Sequence, residues 1–313
     1  MNSNLSFLSL IIVLATMIVA IFSVFVTGLA VWGGTKKLPI SHMVSFIGYP
    51  RSGKTTLITL LFSEIFAQRI LRGVNITPRG EETIKRINED IARLETGRDL
   101  APTTDQDLFN YRMEMLTGRT FLSRRYKVEI GDFPGEDSQN LSDKDPDWLH
   151  STRYFQWALN ADVFLFIIDL AYLSDLESDE AKKYRSTITS SFRAAWQKIK
   201  DHHYDGARKL RNNPIVIVFT KLDLLFDLQN LDTQNKAKNL TNSPKDYNKP
   251  VPMDAKEIMG KEDQIKEYFQ DIIGYLKSET NRFDIVFSSA FAKEKTHDAR
   301  FGMERLARSV LPG

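Results

Sequence analysis

The segment that most constrains this chain is Gly48-Tyr49-Pro50-Arg51-Ser52-Gly53-Lys54-Thr55. It lies between one apolar run, MVSFIG at 43–48, and a second, TLITLLFSEIF at 56–66. The pattern is G-x-x-x-x-G-K-[ST], and the flanking runs read as the strand and helix that this motif requires. Glycines let the backbone wrap closely around phosphate groups, while successive N–H groups and the helix N-terminus supply positive potential. On this reading the backbone at Gly48, Arg51, Ser52, Gly53, Lys54, Thr55 and Thr56 cradles phosphates. Lys54 reaches the β- and γ-phosphates, and the Thr55 hydroxyl ligates Mg²⁺.

The rest of the chain supplies the sheet. Apolar, β-rich runs at 43–48, 109–116, 124–132, 161–170, 214–220 and 283–289 alternate with helical patterns at 54–71, 81–95, 148–159, 179–200, 262–279 and 298–310. That alternation predicts an α/β fold, a mostly parallel six-stranded sheet with helices on both faces. Thr117-Gly118-Arg119 is a turn-like link between the second and third runs, so one antiparallel edge strand is expected. Two stretches, 73–108 and 227–261, exceed what a minimal unit needs and read as insertions in one domain spanning 36–313.

Two further motifs end predicted strands. Asp132-Phe133-Pro134-Gly135 places a carboxylate where it can hold Mg²⁺ through water, and the Gly135 N–H where it can sense a γ-phosphate. Thr220-Lys221-Leu222-Asp223 follows PIVIVF. A carboxylate at Asp223 accepts from both N1–H and the exocyclic amine of guanine, and adenine lacks the N1 donor. Lys221 lies against the base and Thr220 supports the loop. After the last strand, Ser288-Ser289-Ala290 can aim a backbone N–H at guanine O6, with Ser289 and Ala290 at the base.

The N-terminus makes a different demand. No charged residue precedes Lys36, and Phe7 to Trp32 is apolar apart from small or weakly polar residues. A helix of that length, about 39 Å, exceeds the ~30 Å hydrocarbon core, so residues 1–35 are expected to form a transmembrane anchor. A secretory signal would be shorter and carry a basic start, and a buried globular helix would show a polar stripe. Trp32 is placed at the interface, and Lys36-Lys37 put residues 36 onward in the cytoplasm. The expected protein is single-pass, with its folded domain cytoplasmic. Zero cysteines exclude disulfides and thiol catalysis, and a net charge of +2 gives no reason to expect a nucleic-acid partner.

At GYPRSGKT, DFPG, TKLD and SSA the sequence resembles the Ras-like P-loop GTPases, over roughly Met43 to Pro312. The resemblance implies GTP and GDP as ligands, Mg²⁺ as cofactor, and a cycle in which switch loops engage a protein effector or co-receptor. It places a Mg²⁺-ligating switch threonine in Ala101-Pro102-Thr103-Thr104-Asp105, at Thr103 or, close by, Thr104. Glu136 stands where a water-orienting glutamine is common; it can polarise water or repel the γ-phosphate. Arg98, at the end of a charged helix, reads either as a catalytic arginine supplied in cis or as a solvated helix cap. An anchor ahead of such a domain is similar to the layout of the signal recognition particle receptor β subunit. Three functions follow: a membrane-anchored switch hydrolysing GTP slowly, a non-hydrolysing GTP-bound assembly module, or a P-loop ATPase or kinase. TKLD argues against the last.

Overall fold

The structure, a computed structural model, describes residues 16–25, 39–49, 51–96, 98, 100, 109–118, 124–132, 155–203, 210–227, 250–253, 255–295 and 298–312. Its strands are β1 (Ile40–Gly48), β2 (Asn75–Pro78), β3 (Phe109–Thr117), β4 (Arg124–Asp132), β5 (Val163–Asp169), β6 (Ile215–Thr220), β7 (Val251–Met253), β8 (Phe283–Phe287) and β9 (Ala292–Glu294). The helices of the domain are α1 (Lys54–Phe66), α2 (Glu81–Glu95), α3 (Phe155–Ala158), α4 (Asp179–His202), α5 (Asp223–Asp227), α6 (Ala255–Tyr268), α7 (Gln270–Glu279) and α8 (Met303–Val310).

Seven strands form the main sheet in the order β2-β3-β4-β1-β5-β6-β8, and β7 pairs with β9 in a second, two-stranded sheet. The central strands β1, β4, β5, β6 and β8 are parallel to their neighbours in that block. β5 and β6 are buried along their whole length, as continuous apolar runs between two helical layers must be. Alternation then sorts their side chains. Phe164, Phe166 and Ile168 join a core with Ile188, Phe192 and Trp196 of α4. Val163, Leu165 and Ile167 face a second core with Leu57, Ile58 and Leu61 of α1 and Leu306 of α8. Helices cover both faces, as expected.

Several expectations need correcting. The sheet has seven strands rather than six, because β2 forms within the 73–108 insertion and pairs antiparallel with β3. The antiparallel margin is therefore β2 and β3 together. The helix expected at 262–279 is two helices, α6 and α7, broken at Phe269, whose backbone leaves the helical region (φ −103°, ψ 18°). The last helix begins at Met303, after Gly302 in the left-handed conformation. Of the helix expected at 148–159, residues 155–158 are helical and 148–154 lie outside the described residues.

Of the expected membrane span, residues 16–25 are described; they are helical, with Met17, Ile18, Phe22 and Val24 among side chains 60–72% exposed. That stretch alone measures about 15 Å. Among the described residues no helix is long and apolar enough to cross a membrane.

Candidate nucleotide-binding site

Register brings the predicted motifs to one edge. Gly48 at the end of β1 lies opposite Ile167 of β5, Asp169 opposite Thr220, and Phe219 opposite Phe287. The loops after β1, β6 and β8 therefore emerge side by side, although up to 240 residues separate Gly48 from Ser288 in sequence.

The phosphate loop is tightly built. A Cβ at Gly48 would lie 2.9 Å from Ile167 Cβ and 3.1 Å from Ser52 Oγ, so only glycine lets β1 pass this close. Gly53 caps α1 with φ +86°, and Leu57 N–H donates to its carbonyl at 2.8 Å. The ammonium of Lys54, a buried residue, donates to the carbonyls of Gly48 (2.9 Å) and Tyr49 (2.7 Å). A phosphate oxygen seated in the loop would compete with those carbonyls for the ammonium. Thr55 and Thr56 lie in the first turn of α1, half-buried. Ser52 Oγ is buried and has no hydrogen-bond partner among the described residues. An orphaned hydroxyl of this kind costs about 1–3 kcal/mol unless a ligand oxygen satisfies it, so the cradle fits a phosphate.

The base-side loops are fastened to the phosphate loop. Thr220 Oγ1 donates to Ser52 O at 2.8 Å. Lys221 Nζ donates to Arg51 O at 3.1 Å and to Asp169 Oδ2 at 2.5 Å. Arg51 (φ +60°) and Lys221 (φ +61°) both adopt left-handed backbone, strain of the kind that concentrates at functional loops. Asp223 opens α5, and Ser289 Oγ donates to its Oδ1 at 2.6 Å. Leu222 N–H donates to Ser288 O at 3.0 Å, so the TKLD and SSA segments hold each other. Ala290 is half-buried beside them.

The remaining site residues fare differently. Asp132 ends β4 opposite Phe109, with its side chain outside the description. Thr103, Gly135 and Glu136 lie outside the described residues. Arg98 is exposed and its N–H donates to Arg93 O at 2.8 Å, one turn past α2. The described residues hold no cluster of three His, Cys, Asp or Glu. Mg²⁺ at a site of this type needs none, since one hydroxyl, one carboxylate, phosphates and water suffice.

Sequence reasoning missed Asp169 and Tyr49. Asp169 is buried at the end of β5, where it grips Lys221 and accepts from Ala171 N–H at 2.9 Å, while its own N–H donates to Tyr184 OH at 2.9 Å. The signal was present, an aspartate ending the apolar run FLFIID. Tyr49, the first residue inside the phosphate loop, is buried and hydrogen-bonded to Ser191 of α4. Burial pushes the Tyr49 hydroxyl above its ordinary pKa, against a smaller opposing effect of that hydrogen bond.

A mostly parallel sheet with this phosphate loop at its carboxyl edge places the chain among the P-loop GTP-binding proteins. It belongs to the Double-GTPase 2 family, whose profile matches residues 42–311. GTP and GDP are its nucleotides, with Mg²⁺ as the accompanying ion. No curated protein matches the chain. Similar solved structures include Methanosarcina barkeri Roco2 RocCORdC bound to GDP (12% identity, TM-score 0.32, covering 86% of this chain and 48% of that one). A second is the putative nucleolar GTP-binding protein 1 of Plasmodium falciparum (13%, 0.31, covering 88% and 87%). A third is an ADP-ribosylation factor-like GTP-binding protein, the small COPII coat GTPase SAR1, of Encephalitozoon cuniculi in complex with GDP (11%, 0.29, covering 93% and 85%). The chain spans about half the length of the first of these.

Proposed function

We propose that this protein is a GTP-hydrolysing switch tethered to a membrane by its N-terminus, slow on its own and dependent on a protein partner. The observation that carries the reading is the coupling of three loops at one edge of the sheet: Lys221 ties the base loop to the phosphate loop, and Ser289 ties Asp223 to the loop after β8. When bound, Mg²⁺ would supply positive charge that neutralises the phosphates. Thr55, Asp132 and Thr103 are the residues assigned to hold it. Lys54 and the loop N–H groups bind and orient the phosphates, and Asp223 selects guanine. Glu136 is assigned to orient water and Arg98 to offset charge on the γ-phosphate.

The tether rests on the apolar run 7–32, whose described part is a helix with apolar side chains exposed all round, as a lipid-facing helix presents them. Lys36 and Lys37 then orient the domain toward the cytoplasm.

Single-turnover hydrolysis by the full chain in bilayers tests the proposal. With Arg98 acting in cis, an unaided rate on the order of 10⁻² s⁻¹ is expected, and Arg98→Ala should slow it at least tenfold with GTP affinity nearly unchanged. If Arg98→Ala hydrolyses as fast as the parent, a partner supplies the arginine. No turnover over days, with GTP retained, would replace the switch with the assembly module.

A further inference from the structure

The parallel strands fix two poles. Their carboxyl ends carry the nucleotide loops, and their amino ends lie opposite, with Ile40 of β1 leading. β3 runs the other way and pairs Thr117 with Arg124, so Leu116 shares this far pole with the start of β4. α1 descends from the phosphate loop to Phe66, and the chain then passes Arg72 to reach Asn75, which pairs with Leu116. Arg211 lies four residues before β6 and Arg282 immediately before β8, where Asn281 N–H donates to Arg211 O and Ile215 N–H to Arg282 O.

Three large apolar side chains stand exposed there, Ile40 at 50%, Leu116 at 43% and Phe66 at 36%. Around them Arg72, Arg124, Arg211 and Arg282 are exposed, and none pairs with a described carboxylate. Cations in the last turn of a helix answer its dipole, but none of these four lies in a helix. Carboxylates nearby are already taken: Glu114 by Arg79 and Arg125, Glu279 by Lys200, Asp284 by Arg305. Among the described residues Asp201, whose carboxylate accepts from Gln197, is an exposed counter-charge. A chain of net charge +2 thus concentrates positive charge at the pole farthest from its anionic ligand.

We propose that this pole docks on an anionic membrane surface, the arginines against lipid headgroups and Ile40, Leu116 and Phe66 at the interface. The proposal rests on the anchor reading and extends it. The chain reaches this pole from the span, and the eight residues from Trp32 to Ile40 extend at most about 28 Å. Each cation near such a surface strengthens docking by about fivefold, within a screening length of about 8 Å. The nucleotide loops then face away from the bilayer, open to a soluble partner.

The cysteine-free chain permits single-site labelling. Full-length Leu116→Cys and, at the nucleotide pole, Ser174→Cys would each carry a fluorophore in vesicles of phosphatidylcholine with about 30% phosphatidylserine and a headgroup spin label. Label at Leu116→Cys should be quenched several-fold more than at Ser174→Cys. The difference should shrink in pure phosphatidylcholine, on raising salt from about 0.1 to about 0.5 M, and in Arg72→Glu/Arg124→Glu/Arg211→Glu/Arg282→Glu, checked for GTP binding. Equal quenching of both labels in a chain that floats with vesicles overturns the docking and leaves the anchor standing. So does a difference indifferent to salt, lipid charge and charge reversal. A chain that does not float at all overturns the anchor and the docking with it.

Discussion

Lys221 and Asp223 are two positions apart, and their surroundings give them different work. Left-handed backbone at Lys221 costs about 1–2 kcal/mol; its ammonium, gripping Asp169 and Arg51 O, holds that conformation in place. Asp223 keeps one carboxylate oxygen on Ser289 and is thereby oriented rather than free to rotate. In Asp223→Asn the amide oxygen can keep the serine, which turns the NH₂ toward a base edge that is itself all donors. GTP affinity should fall roughly 10- to 100-fold, the cost of unpaired polar groups. Xanthosine triphosphate, with an acceptor at C2, should bind instead. Competition binding with the two nucleotides measures this, and a variant still preferring GTP removes Asp223 as base reader. The tetrapeptide TKLD was legible because its chemistry is local. The pairing of Asp169 with Lys221 was not, since the two are 52 residues apart and only strand register brings them together.

Among the elements, α8 shows how a helix that touches no ligand supports the site. Its N-cap Gly302 has φ +79°, and a Cβ there would come 1.9 Å from Phe287 O, at the end of the strand that delivers Ser289. Gly302→Ala combines left-handed strain with a backbone clash, so about 2–4 kcal/mol of stability should be lost. Weakened GTP binding should accompany it as β8 shifts; urea unfolding and nucleotide titration test both. α1 carries a second device, Glu64, fully buried and paired with Arg69 at 3.0 Å. Desolvation raises its pKa, against the lowering effects of Arg69 and Arg300. A raised folded-state pKa means that the folded protein holds the proton more tightly than the unfolded chain. The stabilisation from that protonation is complete below the unfolded value and is lost as pH rises through the folded one. The wild type should therefore lose stability relative to Glu64→Gln as pH climbs through that window. A stability difference independent of pH would mean that Glu64 does not titrate there. Neither device was readable in sequence, where Gly302 lay inside the helix expected at 298–310 and Glu64 was one glutamate on an apolar helix. β2 escaped for a related reason: NITP is four residues long and gains strand character only from β3 beside it.

For the molecule as a whole, the proposed nucleotide site spans a seam in the sheet. Its phosphates are assigned to the loop after β1 and its base to the loops after β6 and β8, with β5 between them. Those loops are joined across the seam by the Thr220–Ser52 and Lys221–Arg51 hydrogen bonds. The parallel block and helical layers were legible because apolar periodicity is dense in β1, β5, β6 and α1. Only the assembled sheet shows that the motifs form one bridge. A ligand that binds the folded state alone adds RT ln(1 + [L]/Kd), about 2.7 kcal/mol at a hundredfold excess over Kd. For a domain of this size that corresponds to a rise in Tm of roughly 5–11 °C. GTP or GDP with Mg²⁺ should produce it in thermal unfolding of the intact chain. ATP at the same concentration should not, because adenine offers Asp223 no N1 donor. Lys54→Ala should abolish the response to guanine nucleotides while leaving the ligand-free melting temperature within a few degrees. An equal rise with ATP would mean that the phosphate loop binds without the base loop, and the bridge across β5 would then have no part in nucleotide choice.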